Sequence, residues 1–201
     1  MTLRLNGSTS GYTEIDAPAV AGSNTLVLPT GAGSAYQVMR NGVTAGSLEF
    51  TDKIVSGTAV ASTSGTSIDF TGIPSWAKRV TVMFNGVSTS GTSHYLVQVG
   101  AGSITTSGYA SGSYNGSAVT STTGMIVEAG SASLVQNGHV IFTSVGSNLW
   151  VSSHVVGRSN DGVSTNGGGT VTLSGTLDRV RITTVNGTDT FDAGSINILY
   201  E

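Results

Sequence analysis

Apolar and polar positions alternate in short runs along this chain, with the period of two that belongs to strands. Between residues 79 and 84, Val80, Val82 and Phe84 share one face while Arg79, Thr81 and Met83 share the other. The same spacing puts Tyr95, Val97 and Val99 on one side of a strand over 95–99. Further strands are predicted over 125–128, 139–143, 149–152, 170–173, 179–185 and 195–200. Asn85-Gly86 follows the first of these directly and predicts a two-residue hairpin turn. Eight or so strands with loops between them predict an antiparallel β-sandwich, jelly-roll-like, over residues 66–201. The last strand ends one residue before Glu201, which assigns the C-terminal segment to the core sheet.

Residues 1–40 read as a short N-terminal β module. Thr2-Leu3-Arg4-Leu5, Tyr12-Thr13-Glu14-Ile15 and Thr25-Leu26-Val27-Leu28 are extended pieces separated by Asn6-Gly7, Pro18 and Pro29-Thr30-Gly31. None is long enough to bury a core alone, so each is expected to join a larger sheet or pair between chains. Residues 41–65 mix turn signals with weak strands over 47–50 and 53–55 and read as a connector. The fold expected is all-β, with an attachment or trimerisation module at the N-terminus. No exact internal repeat and no heptad pattern is present.

Composition sharpens this picture. There are 29 glycines against 3 prolines, and Ser and Thr fill the spaces between apolar runs. With 38% hydrophobic residues the chain has enough apolar material to fold despite only 9% charged residues. A net charge of -3 without basic clusters argues against a nucleic-acid partner. No apolar run approaches the ~18 residues of a membrane helix, and residues 1–11 lack the apolar stretch of a signal peptide. Cysteine is absent, so no disulfide or thiolate metal site is expected.

Catalytic patterns are weak. His94, His139 and His154 stand singly, without metal-ligand spacing, and His139 is expected to face outward opposite Val140 and Phe142. Serine is too abundant for chance Ser/His/Asp combinations to inform. Asp178 and Asp189 read as turn or hairpin-end residues, pairing with Arg179 or Arg181, rather than as a glycosidase pair with Asp192. Gly167-Gly168-Gly169 and Asn160-Asp161-Gly162 read as surface turns, since neither completes a phosphate or calcium loop. No cofactor and no metal is expected. Leu28-Pro29-Thr30-Gly31 lacks the residues of a sorting signal, and the glycosylation triplets at Asn6, Asn115 and Asn186 are what Asn-Gly turns produce.

Aromatic residues in polar surroundings are the stronger signal, because a ring face stacks on the C–H face of a sugar. Tyr109 and Tyr114 fall in the Gly/Ser-rich stretch 100–116, read as a loop, and are balanced between packing and binding. Trp76 and Trp150 are also candidates, although a plug at the strand entry Ile73-Pro74-Ser75-Trp76 and a core position for Trp150 fit the pattern better.

Residues 66–88, from Thr66-Ser67-Ile68-Asp69-Phe70 through Val82-Met83-Phe84-Asn85-Gly86-Val87-Ser88, resemble a segment of tail-fibre and related structural proteins of marine phages and cyanophages. Residues 177–197, from Leu177-Asp178-Arg179-Val180-Arg181 to Gly194-Ser195-Ile196-Asn197, resemble the C-terminal end of the same proteins. Residues 5–19 are similar to a short module of cyanophage virion proteins. The resemblance implies a virion structural protein, on the tail or capsid surface and in the host cytoplasm during assembly; with the weak catalytic patterns above, the chain is expected to be non-enzymatic. Its partners would be its own copies in a homotrimer, other virion proteins through the N-terminal module, and host surface glycan, with no nucleic acid and no membrane insertion. The first reading is a tail-fibre or tail-tip adhesin that contacts host surface glycan; a capsid decoration or head-fibre protein is the alternative, and a glycan-cleaving tailspike a more distant one.

Overall fold

The computed structural model describes residues 3–16, 18–20, 22–23, 25–33, 37–51 and 54–201. Thr2, Ala17 and Lys53, which belong to predicted segments, lie outside the described residues. The chain divides into two compact units, residues 1–53 and 54–201.

The first unit holds two hairpins: β1 (Leu3–Asn6) with β2 (Tyr12–Ile15), and β3 (Val38–Asn41) with β4 (Leu48–Thr51). Residues 6–14 and 41–49 share the spacing Asn-Gly-x-Thr-x-Gly-x-x-Glu, an approximate repeat. It has a common physical basis. The later glycines, Gly11 and Gly46, turn the chain at φ of 75° and 82°, where side-chain-bearing residues are strained. The glutamates then sit directly opposite an arginine, Arg4↔Glu14 and Arg40↔Glu49, and form ion pairs. Arg4 also lies 4.1 Å over the Tyr12 ring. The predicted strand over 25–28 is reduced to one parallel bridge between Val27 and Ser47.

The second unit is all-β among its described residues. One sheet contains β7 (Ile68–Thr71), β9 (Tyr95–Ala101), β10 (Ser103–Ile104), β13 (Met125–Val127) and β17 (Arg179–Thr184). The other contains β5 (Val55–Ser56), β6 (Val60–Ala61), β8 (Arg79–Thr89), β11 (Ala110–Tyr114), β12 (Ala118–Ser121), β14 (Gln136–Gly146), β15 (Leu149–Arg158), β16 (Ser164–Thr172) and β18 (Phe191–Tyr200). The larger sheet runs β12-β11-β16-β15-β14-β8-β18, with β5 and β6 on the outer edge of β18. All these pairings are antiparallel, consistent with a β-sandwich. Alternate residues of both sheets meet in one core: Tyr95, Val97, Val99, Val180 and Ile182 from the smaller, and Val80, Val82, Phe84, Val140, Phe142, Ile196 and Ile198 from the larger.

Four local expectations are corrected. Asn85-Gly86 is not a hairpin turn; the strand continues from Arg79 to Thr89. Gly86, at φ 67°, forms a bulge at which the pairing shifts from Phe84↔Gly138 to Val87↔Gln136. The bulge changes the phase of burial, so Val80, Val82 and Phe84 face the core before it and Val87 and Thr89 after it. Gly167-Gly168-Gly169 is not a surface turn but the middle of β16, between β11 and β15. A Cβ on Gly167 would lie 2.6 Å from His154 Cε1, and one on Gly169 2.6 Å from Ser111 Cβ. The stretch 100–116 is not one loop, since β10 and β11 run through it. Residues 55–61, predicted as connector, are built into the edge of the large sheet through β18.

Candidate functional site

Tyr109 directly precedes β11, and its side chain turns inward, leaving the residue 3% exposed. Its hydroxyl accepts the Val99 amide proton at 2.9 Å and lies 3.1 and 3.0 Å from the carbonyls of Val99 and Thr105, to which it donates. Burial pushes this phenol up to about 12. Tyr109 is therefore a packing residue that ties β9 to the start of β11, and of the two roles open to it in the sequence the loop platform is the one its burial removes. Trp150, at 4% exposure in β15, belongs to the core as well. Trp76 is partly exposed before β8, with its ring 5.6 Å from that of Tyr200 and tilted by 56°.

Tyr114 is different. It closes β11 at 54% exposure, on the outer face of the large sheet, because Ser111 and Ser113 take the inward positions of this strand. Register puts Tyr114 beside Asn166 of β16 and Ala118 of β12. With Gly112 and Thr120 they border a shallow trough of about 300 Å³. The structure thus leaves Tyr114 accessible at the end of β11 and Trp76 partly accessible in the turn before β8, and withdraws the other two aromatic candidates into the interior. Asn166 and Gly112 carried no signal of their own in the sequence, since register alone brings them beside Tyr114.

The chemistry-bearing side chains are otherwise engaged in holding the fold. Under β11, the Ser113 hydroxyl lies 3.0 Å from Nε2 of His154 and 2.7 Å from Oγ1 of Thr165, and accepts the Glu128 amide proton at 3.2 Å. Ser113 is 4% exposed and Nδ1 of His154 has no partner among the described residues, so no carboxylate orients the imidazole. Burial lowers the His154 imidazole to about 4. A serine nucleophile needs an open approach and an oriented base, and this pair has neither. The Glu128 carboxylate receives the Asn115 amide at 2.8 and 3.0 Å, with that amide oriented by this partner.

His94 accepts the Ala129 amide proton on Nδ1, and His139 is exposed as expected. Asp178 binds Arg179 and accepts the Gly102 amide proton, with Arg179 holding its carboxyl below the usual range. Arg181 instead makes a two-pronged pair with Asp69 at 2.7 Å for each contact. Asp189 accepts protons from Asn186 and from the Ser93 amide, which lower its pKa, and Asp192 accepts the Ser88 hydroxyl. Among the described residues no group of three or more His, Asp or Glu side chains is placed to hold a metal ion. The chain matches no protein-family model, no curated protein and no solved structure.

Proposed function

We propose that this chain is a non-enzymatic structural protein of a bacteriophage virion, a tail-fibre or tail-tip adhesin that contacts host surface glycan through its second unit. In this reading the sandwich is jelly-roll-like, the subunit is a homotrimer, and the first unit binds its own copies or other virion proteins. The observation that carries it is the two-faced β1–β2 hairpin. Arg4, Glu14 and Tyr12 occupy one face, while Leu3, Leu5 and Ile15 on the other remain 58%, 52% and 58% exposed. A lone two-stranded ribbon is marginal in water, and an open apolar face on it favours assembly. The resemblance read in residues 5–19, 66–88 and 177–197 supports the choice of a phage particle, and the open Tyr114 surface supports the contact. Weak single sites gain avidity when several copies are displayed together.

Gold-antibody electron microscopy of intact virions, with antibody to residues 66–201, tests this proposal. Label on the tail or its fibres supports the adhesin, whereas label over the head favours the decoration or head-fibre alternative. Particles that bind no antibody would remove the virion reading. Sedimentation of the full chain as a 20.2 kDa monomer would remove the trimer.

A further inference from the structure

We propose that the trough beside Tyr114, on the outer face of β12, β11 and β16, binds an uncharged sugar ring. The inference rests on the glycan-contact reading above and gives that contact a position and a ligand class.

Gly112 is the starting point. Glycine inside a strand is unfavourable by roughly 0.5–1 kcal/mol relative to alanine, so its presence needs a cause. Its cross-strand partner Gly168 has one in the fold, because a Cβ there would lie 2.6 Å from the Ser152 carbonyl oxygen. Gly112 has none. Its φ is not positive, and an added Cβ would meet only the Val119 carbonyl at 3.6 Å and the Thr120 methyl at 4.0 Å, ordinary contact distances. A strand glycine that the fold does not require marks a place where a ligand or another backbone approaches closely.

The surrounding groups select between those two. Tyr114 offers an exposed ring at one side, and rings stack on the C–H faces of sugars. The Asn166 amide and the Thr120 hydroxyl flank it, both able to donate and accept, and neither has a hydrogen-bond partner among the described residues. Backbone docking on a strand's outer face would have no use for such side chains. None of the residues lining the trough is charged, which disfavours phosphate, uronate or sialate and leaves a neutral ring. Three strands are about 10 Å across, so the site holds a short stretch of chain and not an extended polymer.

Binding of the full-length protein to immobilised neutral glucan, galactan, mannan and N-acetylglucosamine oligomers tests the proposal. Saturable binding to at least one is expected, with Tyr114→Ala and Gly112→Val each weakening it by about tenfold or more. Gly112→Val is the more informative variant, because it fills the trough without touching the ring and its thermal unfolding should not drop. Wild-type binding that both variants retain would overturn the trough and leave the adhesin with another contact surface. Failure of the wild type to bind any of the four would also overturn it, while virion labelling would still decide the adhesin proposal independently. Loss of self-association in Gly112→Val, without any sugar binding in the wild type, would assign the trough to a second copy and overturn the sugar.

Discussion

The Ser113 hydroxyl sits 3.0 Å from Nε2 of His154 and at the same time takes the amide proton of Glu128, so one oxygen joins the two sheets. The geometry has a simple origin. β13 pairs only with β9, and on its free side the Ile126 and Glu128 amides point toward β11. Ser111 and Ser113, inward on β11, supply the acceptors that a neighbouring strand would otherwise offer. Ser113→Ala would leave the Glu128 amide, the His154 ring and Thr165 short of partners in the interior. Urea unfolding is expected to show a loss of roughly 2–4 kcal/mol. A loss below 0.5 kcal/mol would mean that the joint is dispensable.

His154 makes stability depend on pH in a defined window. Burial lowers its folded-state pKa to about 4 from the ordinary 6.5. Between these values the unfolded chain binds a proton that the folded chain refuses, so stability falls as pH drops from 6.5 toward 4. The full loss is on the order of 3 kcal/mol. The carboxylates of Asp178 and Asp189, with lowered pKa, add a separate loss only below their ordinary value of 3.8. Unfolding at pH 7.5 and pH 4.5 should therefore differ in the wild type and differ much less in His154→Gln. Equal pH dependence in the two proteins would show that another group titrates there.

Tyr109 and Tyr114 are five residues apart, yet they predict opposite outcomes. Tyr109→Phe removes the hydroxyl that bonds Val99 and Thr105 and leaves the Val99 amide unsatisfied. The expected loss is about 1–3 kcal/mol of stability with saccharide binding unchanged at permissive temperature. A melting temperature equal to wild type, together with lost binding, would return Tyr109 to the surface role that its sequence context invites.

Much of the fold was legible where packing follows the local pattern. The alternations that set Val80, Val82 and Phe84 on one face, and Tyr95, Val97 and Val99 on another, mark faces that the core contains, and the runs over 139–143, 149–152, 179–185 and 195–200 fall within the strands β14, β15, β17 and β18 or overlap them. What failed depends on distant partners. Asn85-Gly86 has the composition of a hairpin turn, but it is the bulge of β8, two residues opposite the single Asn137 of β14, where Gly86 donates its amide proton to the Asn137 side chain. Gly167-Gly168-Gly169 looks like a loop because its glycines answer to side chains and carbonyls of β11 and β15, more than ten residues away in sequence. The trough is the same case: Tyr114 could be read as a candidate, but Asn166 reaches it only through the β11–β16 register.

The boundary between the two units gives a final, separable prediction. Alternation in the sequence places the start of the sandwich at residue 66, whereas its edge is completed by residues 55–62. Gly57 donates its amide proton to Ile198 at 2.7 Å, Ser62 gives its amide and hydroxyl protons to Gly194 and Ala193, and Asn197 reaches Ser56 and Gly57. Ser62 is fully buried. Without these residues β18 would present an unpaired edge, which costs hydrogen bonds and templates association. A fragment of residues 54–201 is therefore expected to fold cooperatively with a melting temperature close to that of the second unit in the full chain. A fragment of residues 66–201 should be less stable by roughly 2–5 kcal/mol and prone to aggregate. Equal stability of the two fragments would mean that β5 and β6 merely lie along an edge that is sound without them.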